Sequence, residues 1–163
     1  MTISRPEPTT LILSGIEPFL RELFAQIVPS ADPTGSEAAR ERLFSSPSRG
    51  AVPELEEDWK TLIEPELRRL FQSALEVVSA DLATLSSASR KKQDTLHLPV
   101  AHLESWVHAL NQARLALSAR YDFSEHEMEA FLPEAGEARA YALFQVHFYG
   151  FLQECFLREL EES

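Results

Sequence analysis

The chain has 163 residues, 44% of them hydrophobic and ten of them Phe, which is enough apolar material to bury the core of one domain. A formal net charge of -11 works against phosphate backbones and anionic lipid surfaces, so neither a nucleic-acid nor a membrane partner is expected. The single cysteine, Cys155, excludes an intramolecular disulfide, a cysteine zinc cluster and a CxxC redox pair.

The N-terminus, MTISRPEPTT, lacks a basic segment followed by an apolar one, and no apolar run reaches the roughly 18 residues that span a bilayer. The expectation is a cytoplasmic protein. TLIL, Thr10 to Leu13, reads as a short extended piece. Ser14 and Glu17 then have capping-box spacing, ahead of a helix with Ile16, Phe19, Leu20, Leu23, Ile27 and Val28 at helical intervals and Pro29 as its stop. Thr34 and Glu37 suggest a second capping box before a short helix ending near Phe44. SSPSRGAVP, residues 45–53, reads as a flexible loop.

From Pro53 the pattern is helical for more than thirty residues, with a kink or fresh start expected at Pro65. A polar stretch holding Arg90, Lys91 and Lys92 follows, and reads as a solvated turn. TLHL, Thr95 to Leu98, is again extended, and could pair with LIL as a minimal two-stranded β-ribbon. The next helix spans about Val100 to Tyr121. Ser124 and Glu127 form a third capping box, opening a short helix through Phe131 that Pro133 ends. A last helix, from about Gly136 to Leu160, carries Tyr141, Phe144, Phe148, Phe151, Leu152, Cys155 and Phe156. This aromatic stripe is expected at the centre of the core. The whole reads as one all-α domain over 1–163, a helical bundle of five to six helices.

One residue stands out. With Leu110 at zero on a helix turning about 100° per residue, Leu103, Trp106, Val107, Ala113, Leu117 and Tyr121 fall within about 60°, and Arg114 at about 40° lies inside that apolar stripe. A guanidinium stays charged when buried, so Arg114 must be paired, bonded to carbonyls, or facing a cavity or partner. It is either a clamp on a carboxylate or loop carbonyl, or an anion-binding or docking residue. Asn111 sits one turn earlier. Arg120, at the other edge, is expected in solvent.

Other chemistry is sparse. His97, His102 and His108 share a region without metal-ligand spacing, and there is no HExxH or ExxH pair. His126 lies among Glu125, Glu127 and Glu129, read as a solvated first turn. No GxSxG or phosphate-binding glycine loop occurs, and Cys155 reads as a small hydrophobe. No catalytic residue, metal or cofactor is assigned. Gly150 interrupts the last helix, implying either close approach of another backbone or room for a partner, and Glu154 can pair with Arg158 one turn on.

ESWVHALNQARLALSARYDF and YGFLQECFLREL, with ERLF and EEDWK earlier in the chain, resemble a bacterial family known as domain of unknown function 2017. Trp106, Asn111, Arg114, Tyr149, Gly150, Gln153 and Glu154 match its pattern. The chain departs from it at Leu117-Ser118-Ala119-Arg120, where a Leu-Gly is usual, and at SSPSRGAVP, where members are more acidic. The resemblance implies an uncharacterised helical protein whose genes often adjoin that of the Clp protease adaptor, hence a link to proteolysis or its regulation. The leading expectation is a non-enzymatic protein-interaction or regulatory module, able to form a homo-oligomer, with Arg114, Asn111, Trp106, Gln153 and Glu154 as candidate interaction or clamp residues. The rival is a small ligand-binding protein or enzyme with an anion pocket around Arg114. DNA binding comes third, lacking a basic face.

Overall fold

The computed structural model describes residues 1–85, 94–130 and 136–162. Helices dominate it, but a small antiparallel sheet corrects the purely all-α expectation. Its strands are β1 (Thr2–Glu7), β2 (Thr10–Ile16) and β3 (Asp94–Pro99), in the order β1-β2-β3. The expected pairing of LIL with LHL is present. Leu11 faces Leu98 and Leu13 faces Leu96, all four fully buried on one face of the pleat. The third strand escaped the sequence reading because Pro6 interrupts it. Proline is tolerated at this edge, where the register slips between Ser4 and Glu7. Arg5 ties the edge strand to the end of the last helix through the Glu159 carbonyl, 3.2 Å away.

Helix α1 (Pro18–Ala25) begins on a proline and has no side-chain cap. Ser14 lies inside β2, so the Ser14–Glu17 capping box does not form: strand pairing through Ile16 and Asp94 takes up those residues. Pro29 does not stop the chain's helical course either. A break at Gln26 starts α2 (Ile27–Ala31), and Pro29 falls in its first turn, where a missing amide hydrogen costs nothing. Helix α3 (Glu37–Phe44) is capped by Ser36, whose Oγ accepts from the Ala39 amide at 3.2 Å, and not by Thr34, whose own amide donates to Asp32.

The long helical stretch is a rod of α4 (Pro53–Asp58), a π-helical turn (Trp59–Ile63) and α5 (Glu64–Ala83). Pro65 has no amide hydrogen, and its ring would crowd the carbonyl four residues back. The strain is taken up as this wider turn, in which the Glu64 amide reaches the Trp59 carbonyl. One side of the rod is braced. Trp59 Nε1 donates to the Phe44 carbonyl at 2.7 Å, Phe44 packs on Phe71, and the Arg68 guanidinium lies 4.0 Å over the Phe44 ring. Residues of the 45–53 segment converge on Glu56, which accepts from the Ser46 and Ser48 hydroxyls and, at 2.7 Å, from the Gly50 amide.

A 3-10 turn (Val100–His102) leads into α6 (Leu103–Tyr121), followed by α7 (Glu125–Ala130) and α8 (Glu137–Glu161). Helix α6 is central, packing on α2, α3, α5 and α8. The Ser124–Glu127 capping box forms as expected, the Glu127 amide donating to Ser124 Oγ and the Ser124 amide to Glu127 Oε2. Glu127 itself is not solvated: it is fully buried and held by a two-pronged Arg139 contact at 2.6 and 2.7 Å. The expected basic turn at 90–92 and the expected Phe131–Pro133 helix end lie outside the described residues.

Trp106 is the hub of the core, edge-on to both Phe24 and Phe156, with the sheet leucines around it. Helix α8 turns Val146, Tyr149, Leu152 and Phe156 inward. The aromatic stripe expected at the centre is therefore displaced: Phe144 and Phe151 point away from the core and stand about half exposed.

Candidate functional site

Arg114 sits on α6 against α8, its Nη1 donating to Gln153 Oε1 at 2.7 Å. The guanidinium lies across Gly150, where an added Cβ would meet Cζ and Nε at 3.3 Å. The missing side chain at Gly150 thus admits an arginine, not a neighbouring backbone. The acceptor is a neutral amide, so the carboxylate clamp anticipated for Arg114 is replaced by a single bond to Gln153. Among the described residues no ion pair involves Arg114, and its Nε is buried without an acceptor. His147, one turn before Gly150, has its pKa pulled below the ordinary histidine value by burial and then by the Arg114 charge.

The remaining candidates separate. Trp106, eight residues before Arg114, belongs to a different cluster, where its indole Nε1 donates to Asp81 Oδ2 at 2.8 Å and His102 Nδ1 lies 3.0 Å from the same oxygen. Asn111 is partly exposed, and among the described residues no hydrogen bond links it to Arg114. Glu154 is exposed and pairs with Arg158, as its spacing implied. The loop-carbonyl clamp considered for Arg114 exists at Arg120, which was expected in solvent: its guanidinium donates to the carbonyls of Ser30 and Asp32. Arg120 thereby satisfies carbonyls at the end of α2.

Beside Arg114 the outer face of α8 is aromatic. Phe144, His147, Phe151 and Glu154 follow at three- and four-residue steps and so share one helical face. Phe19 of α1 extends it, its ring 5.5 Å from Phe144, and the three phenylalanines are 48% to 53% exposed. Phe148 marks the inner edge, packed edge-on against Phe24. Exposed phenylalanines on one outer face are chemically suited to hold another apolar surface.

Two clefts lie elsewhere. One of about 520 Å³ is lined by Arg21, Glu22, Val28, Ser79 and Leu82 among others, the second by Val28, Asp32, Gln72 and Leu75 among others, and neither touches Arg114. Among the described residues no group of three metal-binding side chains converges, and no helix is long and apolar enough to cross a membrane. Burial raises the Cys155 thiol above its ordinary pKa, which disfavours the reactive thiolate. The partners that Asp81, Glu127, Arg139 and Arg120 find in the fold escaped the sequence reading, because long-range contacts are invisible to helical spacing.

No curated protein and no solved structure matches the chain. The family model described as domain of unknown function (DUF2017) matches residues 9–160, nearly the whole chain and all of the Arg114–Gly150–Gln153 contact, and the chain belongs to that family.

Proposed function

We propose that this chain is a cytoplasmic, non-enzymatic protein-interaction or regulatory module. The observation that carries the reading is the half-exposure of three phenylalanines, Phe144 and Phe151 on the outer face of α8 and Phe19 beside Phe144. Covering apolar area yields about 25 cal/mol per Å², so such a face gains from a complementary partner. The partner class is a protein, and components of Clp-dependent proteolysis are the first candidates. Capture from the native host's lysate with the wild-type chain and with a Phe144→Ser, Phe151→Ser variant tests this. A stoichiometric protein held by the first bait and not by the second, with both baits equally folded, supports the module. Equal capture by both overturns the assignment to this face.

A second reading, an anion-binding protein, is favoured by one observation: the Arg114 Nε is buried without an acceptor among the described residues. It predicts that simple carboxylates raise the melting temperature of the wild type and not that of Arg114→Gln.

A further inference from the structure

The two clefts between α1–α2 and α5 share Val28 and Ser79 and so join into one groove. Its larger lobe, of about 520 Å³, lies toward the end of α5, and its smaller one, of about 330 Å³, toward the middle of that helix. Val28, Leu75 and Leu82 form an apolar floor, half-buried against the core, while Ala25, Ser79 and Ala83 stand exposed on the walls. From Gln72 to Ala83 the α5 wall runs about 17 Å, the span of about six extended residues. Among the described residues, none that lines the groove belongs to the phenylalanine face of α8.

We infer that this groove takes an extended segment of a partner protein in which apolar side chains alternate with lysine or arginine. Charge selects that segment. Glu22 stands on one wall and Glu76 on the other, both exposed. Each carboxylate accepts from a glutamine one turn away, Gln26 at 3.0 Å and Gln72 at 3.1 Å, which positions it without neutralising it. Among the described residues neither glutamate forms an ion pair. The other charges of the groove are offset: Arg21 is paired with the buried Asp94, and Asp32, at the far end, lies in the field of Arg120. What remains is two uncompensated acids over an apolar floor, which repel an anionic ligand and attract a cationic one. Successive side chains of an extended segment point to opposite sides, so the apolar set enters the two lobes while the cations reach the rim. The Ser79 hydroxyl, where the lobes meet, offers a donor and an acceptor to the segment's backbone.

The test is fluorescence anisotropy of a labelled hexapeptide of alternating leucine and lysine, titrated with the full chain, beside the same peptide with glutamate in place of lysine. The variants are Glu22→Gln with Glu76→Gln, Ser79→Trp, which fills the groove where the lobes meet, and Glu161→Gln with Glu162→Gln, which removes the same charge from the end of α8. Circular dichroism checks the fold of each. The expected result is saturable binding of the lysine peptide and none of the glutamate peptide. Binding should weaken about threefold to tenfold with the Glu22 and Glu76 pair, disappear with Ser79→Trp, and stay unchanged with the Glu161 and Glu162 pair. Equal weakening by the two glutamine pairs overturns the inference, because net charge alone then attracts the peptide. Binding that survives Ser79→Trp overturns it by placing the peptide on another surface. A wild type that ignores the lysine peptide overturns it as well, and a dimer that Ser79→Trp breaks, read by sedimentation velocity, then gives the groove to a second copy.

Discussion

The guanidinium of Arg114 occupies the space that a side chain at Gly150 would fill, with 3.3 Å between Cζ and a hypothetical Cβ. The two residues are therefore energetically coupled. Alanine is about 1 kcal/mol better than glycine inside a helix, so Gly150→Ala carries an intrinsic gain, offset by displacement of Arg114. In an Arg114→Ala background the gain should approach its full value, and in the wild type it should be smaller. Urea unfolding of the four chains of this double-mutant cycle measures the difference; equal gains in both backgrounds would contradict the coupling.

Asp81 is the common acceptor for Trp106 and His102, holding the start of α6 against the end of α5. Asp81→Ala leaves the fully buried indole N–H without an acceptor and should cost about 2 kcal/mol in urea unfolding. Asp81→Asn keeps an accepting oxygen and should cost less. The reverse order would show that the carboxylate is not the indole's anchor.

Arg139 neutralises the fully buried Glu127 and also donates to the Tyr121 carbonyl, so it joins α6, α7 and α8. Arg139→Met strands a buried carboxylate and should destabilise by about 3 to 5 kcal/mol at neutral pH. Adding Glu127→Gln to it should recover part of that loss. A double variant no more stable than Arg139→Met would mean that the buried charge is not what makes the loss large.

Glu56 has its pKa lowered from 4.5 to about 2, first by the Ser46 hydroxyl, then by the Ser48 hydroxyl and the Gly50 amide. A depressed acid contributes its stability above the unperturbed value of 4.5 and loses it as pH falls towards about 2. The stability difference between wild type and Glu56→Gln should thus be constant near neutrality and vanish over that acid range. A difference that stays flat through it would show that ionised Glu56 does not organise the 45–53 segment.

Local signals carried much of the architecture into the sequence. LIL and LHL announced their pairing as two short extended pieces, Ser124 and Glu127 their capping by spacing, Arg114 and Gly150 themselves by being out of place on a helix, and Gln153 only through the family resemblance. The errors have a common origin. Ser14–Glu17 and Thr34–Glu37 satisfy the capping pattern, but strand pairing and the neighbouring Ser36 competed successfully for the same backbone. The aromatic stripe of α8 satisfied helical periodicity, yet periodicity states that residues share a face and not which way the face points. Here Tyr149 reaches the Leu23 carbonyl with its hydroxyl at 2.8 Å, and that inward bond belongs with Val146, Leu152 and Phe156 facing the core. Phe144 and Phe151 are turned outward as a result. The Asp81, Glu127 and Arg120 contacts bring together residues that are far apart along the chain or in different elements, which no local pattern records.

The most direct measurement of the central claim, that the outer face of α8 holds a protein partner, is quantitative capture from native lysate. The baits are the wild type, Phe144→Ser with Phe151→Ser, and Arg114→Gln, with melting temperatures taken for all three. The account predicts a stoichiometric protein on the wild type, loss of it on the phenylalanine variant, and weakening on Arg114→Gln, with little change in melting. A bait that recovers only itself, or one partner held equally by all three chains, would contradict it.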